Sequence, residues 1–242
     1  MILSALRTAL SLLLLAAALA GCAPAPAPRP APPPADAAAA EELRARAELA
    51  VRRFVEVVDT VEPVAETQCR EIAPGLNCDF RIVVDERPGQ PPNAFQTRDR
   101  LGRPVVALNI PLIATVRNAD ELAFVIGHEA AHHVLGHIDL QRANARTGAL
   151  VFGELAALGG ADIETVRSAQ EVGAILGART YSKEFELEAD ALGTVIAARA
   201  GYDPVRGAAF FTRIPDPGNR FLGTHPPNAA RIEVVRQVAA GL

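Results

Sequence analysis

His128, Glu129 and His132 stand in the order His-Glu-x-x-His, within Phe124-Val-Ile-Gly-His128-Glu129-Ala-Ala-His132-His133-Val-Leu-Gly-His137. On a helix, residues four apart share a face, so both imidazoles reach one ion. Glu129 adjoins the first of them, and its carboxylate reaches a water on that ion without binding the metal. Zinc in such a site keeps an open coordination position and lowers the pKa of its bound water towards ~7. A neighbouring carboxylate then accepts the proton as that water attacks a carbonyl. Two histidines are too few for a catalytic zinc, which takes three protein ligands. Downstream, Tyr181-Ser-Lys-Glu184-Phe-Glu186-Leu-Glu188-Ala-Asp190 puts Glu186 and Asp190 four apart. Glu186 fits as third ligand, and Asp190 as acceptor for the far nitrogen of a ligating histidine. Glu184 and Glu188 fall on other faces and are expected in solvent. Either segment alone has a bland reading, a chance match or a charged helix surface; together they point to a metal.

The elements that must position these groups are legible. Asn118 is a good N-cap, and Glu121 three residues later completes a capping-box signal. Leu122, Val125, Ile126, His128, Glu129 and His132 recur at helical spacing, and no proline interrupts the run from Ala119 to Gly148. The second segment predicts a helix from Ser182 to Ala200, stopped by Gly201 with Pro204 beyond. His133 and His137 are expected to pack, since helical spacing turns them away from the paired histidines or carries them too far along.

The combination of His128-Glu-Ala-Ala-His132 with Tyr-Ser-Lys-Glu-Phe-Glu186-Leu-Glu-Ala-Asp190 resembles the CAAX prenyl protease and HtpX family of zinc metallopeptidases, in particular its small lipid-anchored envelope members. The similarity runs from about Asn93 to the C-terminus and includes Gly201-Tyr-Asp-Pro204 and Thr224-His-Pro226. It implies that Glu186 is the third zinc ligand and Glu129 the catalytic base. It also implies that His225 approaches or occupies the open coordination position, holding the enzyme latent, and that Arg231 lies near the active site. The bland reading of His225 is a cap or packing residue. Tyr181 and Tyr202 are weaker candidates for polarising a substrate carbonyl. One departure stands out: where the family often has a glycine pair after Asn-Ala-Phe95, this chain has Gln96-Thr.

The N-terminus reads as an export signal over residues 1–21, with Arg7 before an apolar core from Leu10 to Ala20. Leu19-Ala20-Gly21-Cys22 resembles a bacterial lipobox, which implies cleavage before Cys22 and lipid on it. Ala23, not aspartate, follows, and by that resemblance the outer membrane is the expected destination. Residues 22–36 then form an Ala/Pro-rich tether, extended because proline fixes φ and removes donors. From Ala37 to about Val61, charged and apolar residues alternate as in an amphipathic helix, expected to pack on the domain.

Cys69 and Cys78 flank the turn signal Pro74-Gly75. With Cys22 assigned to lipid in an exported protein, these two are expected to form a disulfide. Asp79 to Asp85 and Pro104 to Ile113 are the strand candidates, with Arg87 to Gly102 a loop holding a short extended piece at Asn93–Phe95. The substrate cleft is expected between the second strand and the His128 helix, where strand addition would bind extended peptide. Thr224 to Ile232 opens the last helix, with proline in its first turn.

These features describe an α+β, mostly α, zincin-like metallopeptidase domain at residues 37–242, with a small β-sheet beside the active-site helix and one Zn2+. The net charge of −4 includes no basic block that would suggest nucleic acid. The expected activity is zinc-dependent cleavage of polypeptides in the bacterial envelope, misfolded or misassembled ones by resemblance. A chaperone or assembly factor that grips clients in the same cleft and rarely cuts is the alternative.

Overall fold

The computed structural model describes residues 37–220 and 223–242. The expected export signal and tether, with Cys22, lie outside the described residues. Ala45–Leu242 is one compact unit, and a first unit ends at Arg44. The architecture is α+β and mostly helical, with one three-stranded sheet.

Helix α1 spans Ala37–Ile72 and continues through Pro63, past the end expected near Val61. Proline removes one backbone hydrogen bond from a helix interior. Here Val57, Val61, Ala65 and Cys69 recur every fourth residue and are buried, so tertiary packing carries the helix across the break. A disulfide joins Cys69 to Cys78 beyond the Pro74-Gly75 turn.

The sheet order is β1 (Arg81–Asp85), β3 (Pro104–Asn109), β2 (Ala94–Arg98). β1 runs parallel to β3, and β2 is antiparallel to it. Two expectations change. The presumed loop contains a full strand, because pairing with β3 orders β2 through Arg98. The second strand stops at Asn109 rather than running to Ile113. Asn109 Oδ1 accepts the Leu112 N–H at 3.0 Å and caps a short helix α2, Ile110–Thr115, with proline in its first turn. The buried Asn109 side chain also accepts from Asn93 N and donates to the Pro91 carbonyl, holding residues 91–93 against the sheet.

Helix α3, Ala119–Val134, starts where expected, with Asn118 Oδ1 accepting the Glu121 N–H at 2.9 Å. Glu121 accepts the Arg117 N–H and is held by both terminal nitrogens of Arg213, at 2.7 and 2.6 Å. The fork geometry compensates a buried carboxylate. The proline-free run from Ala119 to Gly148 is divided at Gly136, whose φ of 70° ends one helix and starts the next. Helix α4 then runs His137–Leu158.

Gly159-Gly160 ends α4, and Asp162 caps α5, Ile163–Arg179. Helix α6 is Ser182–Arg199, and a short α7, Pro204–Ala208, leads into a 3-10 turn at Ala209–Thr212. The last helix, α8, begins at Asn228, so both prolines precede it rather than entering its first turn. The core gathers Val57, Phe80, Leu108, Leu122, Phe124, Ile126, Ile196, Phe211 and Val235, and no residue of α4 or α5 joins it. Among the described residues, no helix is long and apolar enough to cross a membrane.

Candidate metal centre

Two buried helices cross at their glycines. A Cβ on Gly193 of α6 would stand 2.8 Å from the His128 backbone nitrogen, and one on Gly127 of α3 would stand 2.9 Å from the Gly193 carbonyl oxygen. Only residues without side chains permit that approach. It brings the first motif, on α3, against the second, on α6.

The three predicted donors converge. His128 Nε2 and His132 Nε2 are 3.1 Å apart, His128 Nε2 and Glu186 Oε2 3.6 Å, and His132 Nε2 and Glu186 Oε1 3.4 Å. Ligands about 2.0–2.1 Å from a tetrahedral zinc stand roughly 3.3–3.4 Å from one another. The observed triangle brackets that value, so two imidazoles and a carboxylate are spaced to share one ion. Among the described residues, His128, His132 and Glu186 form the cluster able to hold a metal.

The groups behind the donors are ordered too. Asp190, fully buried, lies 2.9 Å from His128 Nδ1, which leaves Nε2 facing the other two donors. Arg231 of α8 donates to both oxygens of Asp190 at 2.7 Å, lies 3.3 Å from Glu186, and stacks 4.0 Å over the Phe211 ring. Burial alone would raise the Glu186 carboxyl. Hydrogen bonding to His132 and the charges of His128 and Arg231 outweigh it and hold the group well below the usual carboxylate range. Burial and the Arg231 charge oppose protonation of His128, but the Asp190 hydrogen bond and the two carboxylates prevail and raise its pKa. Burial opposes the Arg231 charge as well, and Asp190, Glu186 and Glu129 outweigh it.

A cleft of about 710 Å³ opens over the donors. Glu129, partly buried, lines it beside His128, His132 and Glu186. Its far wall is not β3, as expected, because both edges of β3 are occupied by β1 and β2. The wall is Pro91–Asn93 and β2, whose outer edge is unpaired among the described strands. Gln96, the departure from the family pattern, lies on this wall.

His225 sits at the cleft rim, with Nε2 3.8 Å from Glu186 and Nδ1 2.9 Å from Thr224 Oγ1. It approaches one donor without joining the three-residue cluster. The Lys183 ammonium donates to Asn219 and to the Arg220 carbonyl, tying the segment before His225 to the start of α6. Tyr181 is exposed and Tyr202 packs against the core; neither lines the cleft.

A family model described as Peptidase family M48 matches residues 52–239. The chain belongs to peptidase family M48. It is similar to a Vibrio cholerae serotype O1 protein named "Putative beta-barrel assembly-enhancing protease", 33% identical over 130 residues, or 50% of this chain and 26% of that protein. The chain thus spans about a quarter of that relative's length. M48 is a family of metallopeptidases, and the His-His-Glu triangle is this chain's candidate metal site.

Sequence reasoning missed the part played by one residue of this M48 chain. His133 packs as expected, edge-on to Phe80 with Nε2 donating to the Asn77 carbonyl at 2.8 Å. His137 does not merely pack. Its Nδ1 is 2.8 Å from His132 Nδ1, and its Nε2 is 3.1 Å from Glu188, which is exposed as expected. On an unbroken helix, a residue five positions on points ~140° away from His132. The left-handed break at Gly136 removes that constraint, and His137 lines the cleft. Burial, and then the charge of His132, pull its pKa down to about 4, so it is neutral near pH 7. The signal available was Gly136 itself, a glycine one residue after an apolar helical run.

Proposed function

We propose that this M48 chain is a zinc endopeptidase of the bacterial envelope. On this reading it is lipid-anchored through Cys22 to the outer membrane and resembles the small envelope members of the CAAX prenyl protease and HtpX type. The carrying observation is the donor triangle, spaced for one tetrahedral ion and flanked by Glu129 in the same cleft. His128, His132 and Glu186 would hold the ion. Bound zinc supplies an activated water and a Lewis acid for the scissile carbonyl.

The chain's own groups do the rest. Glu129 accepts a proton at its carboxylate and delivers it to the leaving amine. Asp190 and Arg231 keep His128 turned so that Nε2 faces the centre. The open edge of β2 pairs with extended peptide through main-chain hydrogen bonds, which demands little of the sequence cut. That tolerance suits misfolded or misassembled envelope proteins as substrates, and the name of the Vibrio cholerae relative couples a protease to β-barrel assembly. His225, at the rim, is placed to restrict access to the centre.

The test is Glu129→Gln. It should abolish cleavage of an unfolded substrate such as casein while leaving one zinc per chain; undiminished cleavage would remove Glu129 as the base. The relative's name also couples proteolysis to assembly, which keeps a client-binding role in view. Rescue of a deletion phenotype by Glu129→Gln would favour that role. Cys22→Ala should release the protein from membranes.

A further inference from the structure

The two imidazoles of the triangle are supported differently. His128 leans directly on a buried carboxylate, Asp190. Among the described residues His132 has none in reach of Nδ1; its neighbour there is His137, at 2.8 Å. His137 is 2% exposed and stacked on Phe185 at 4.5 Å with 16° between the rings. Its other nitrogen meets Glu188 at 3.1 Å.

Proton bookkeeping leaves one arrangement of neutral rings. If His132 Nε2 offers its lone pair to an ion, Nδ1 carries the hydrogen. That hydrogen must be donated to a lone pair on His137 Nδ1. His137 Nε2 then carries its own hydrogen and donates it to Glu188. Every site is satisfied with no group left over. We propose that His137, backed by Glu188, is the positioning residue that fixes the tautomer and ring orientation of His132. The inference rests on the metal reading above. It puts a neutral ring between ligand and carboxylate where Asp190 acts without an intermediary on His128. Stacking on Phe185 fixes the plane of the relay, so the direction of the His132 lone pair is set by residues from α4 and α6 together.

Zinc affinity, measured by chelator competition on the purified chain, tests this. His137→Phe keeps the ring volume and the stacking but removes the acceptor. It should weaken zinc binding about 10–100-fold, as losing such a partner does elsewhere. His137→Gln, whose carbonyl still accepts, should recover part of the loss. Glu188→Leu, at an exposed position, should weaken binding by less than His137→Phe, and it decides the matter if His137→Phe fails to fold. Nitrogen NMR of the zinc-loaded protein should show the His132 Nδ1–H shifted downfield by its bond to His137 in the wild type and returned upfield in His137→Phe. Wild-type affinity and an unchanged Nδ1–H shift in His137→Phe, or wild-type affinity in Glu188→Leu where His137→Phe does not fold, would overturn the proposal. If the wild type itself takes up no zinc, the metal reading fails first.

Discussion

Two helix pairs in this molecule are built on the same device and end differently. α3 and α6 cross at Gly127 and Gly193, and α4 and α5 cross at Gly148, Gly173 and Gly177. The second crossing is the tighter. A Cβ on Gly148 would stand 2.0 Å from the Gly173 carbonyl oxygen, and one on Gly177 2.1 Å from that of Asn144. Yet α3 and α6 enclose His128, Asp190 and Thr194 in the core, whereas α4 and α5 leave Leu150, Leu155, Leu158 and Ile163 exposed. Close approach of two helices therefore does not make a site. The α3–α6 pair becomes one because α8 brings Arg231, and β2 with Pro91–Asn93 closes the cleft. Nothing comparable covers α4 and α5 among the described residues.

Alanine at the two crossings should separate these roles most sharply. Gly193→Ala presses on the His128 backbone, which has no flexible side chain to yield, so the helices must move apart and the donor triangle opens. We expect loss of bound zinc and of cleavage, measured by metal content and casein digestion. Gly173→Ala should loosen α4 and α5, seen as faster hydrogen exchange within 137–179, with zinc retained. If Gly173→Ala also strips the metal, the hairpin is mechanically part of the site and the contrast fails.

Core and surface leucines extend the comparison. Leu122→Ala on α3 should cost about 2–5 kcal/mol in denaturant unfolding, as buried leucines do. Leu158→Ala, 76% exposed at the end of α4, should stay within about 0.5 kcal/mol. Removing zinc comes next. At a free concentration about 100 times its Kd, bound metal adds about 2.7 kcal/mol. Chelation should withdraw that, with exchange rising in α3 and α6 and little change at the far end of the α4–α5 hairpin. The effect at the cap lies between those of the two leucines. Asn118→Ala should lower stability by about 1 kcal/mol and leave metal affinity unchanged.

Much of α3 and α6 was legible because it is local. Periodicity, the Asn118 cap and the four-residue spacings belong to one helix at a time, and they put the right side chains on the right faces. The sheet was less legible. β2 is a strand because β3 lies beside it, and β3 ends early because Asn109 turns to cap α2 while also holding Asn93. α1 outran its expected end for the same kind of reason: burial every fourth residue outweighed the proline.

Sequence alone determined the chemistry on offer: two imidazoles one turn apart, a carboxylate beside them, and a second pair of carboxylates at helical spacing. Tertiary structure decided which of these meet and what stands behind them. A left-handed residue, Gly136, redirects the chain after it, and bonds such as that of Arg231 to Asp190, 41 positions apart, leave no mark in local spacing.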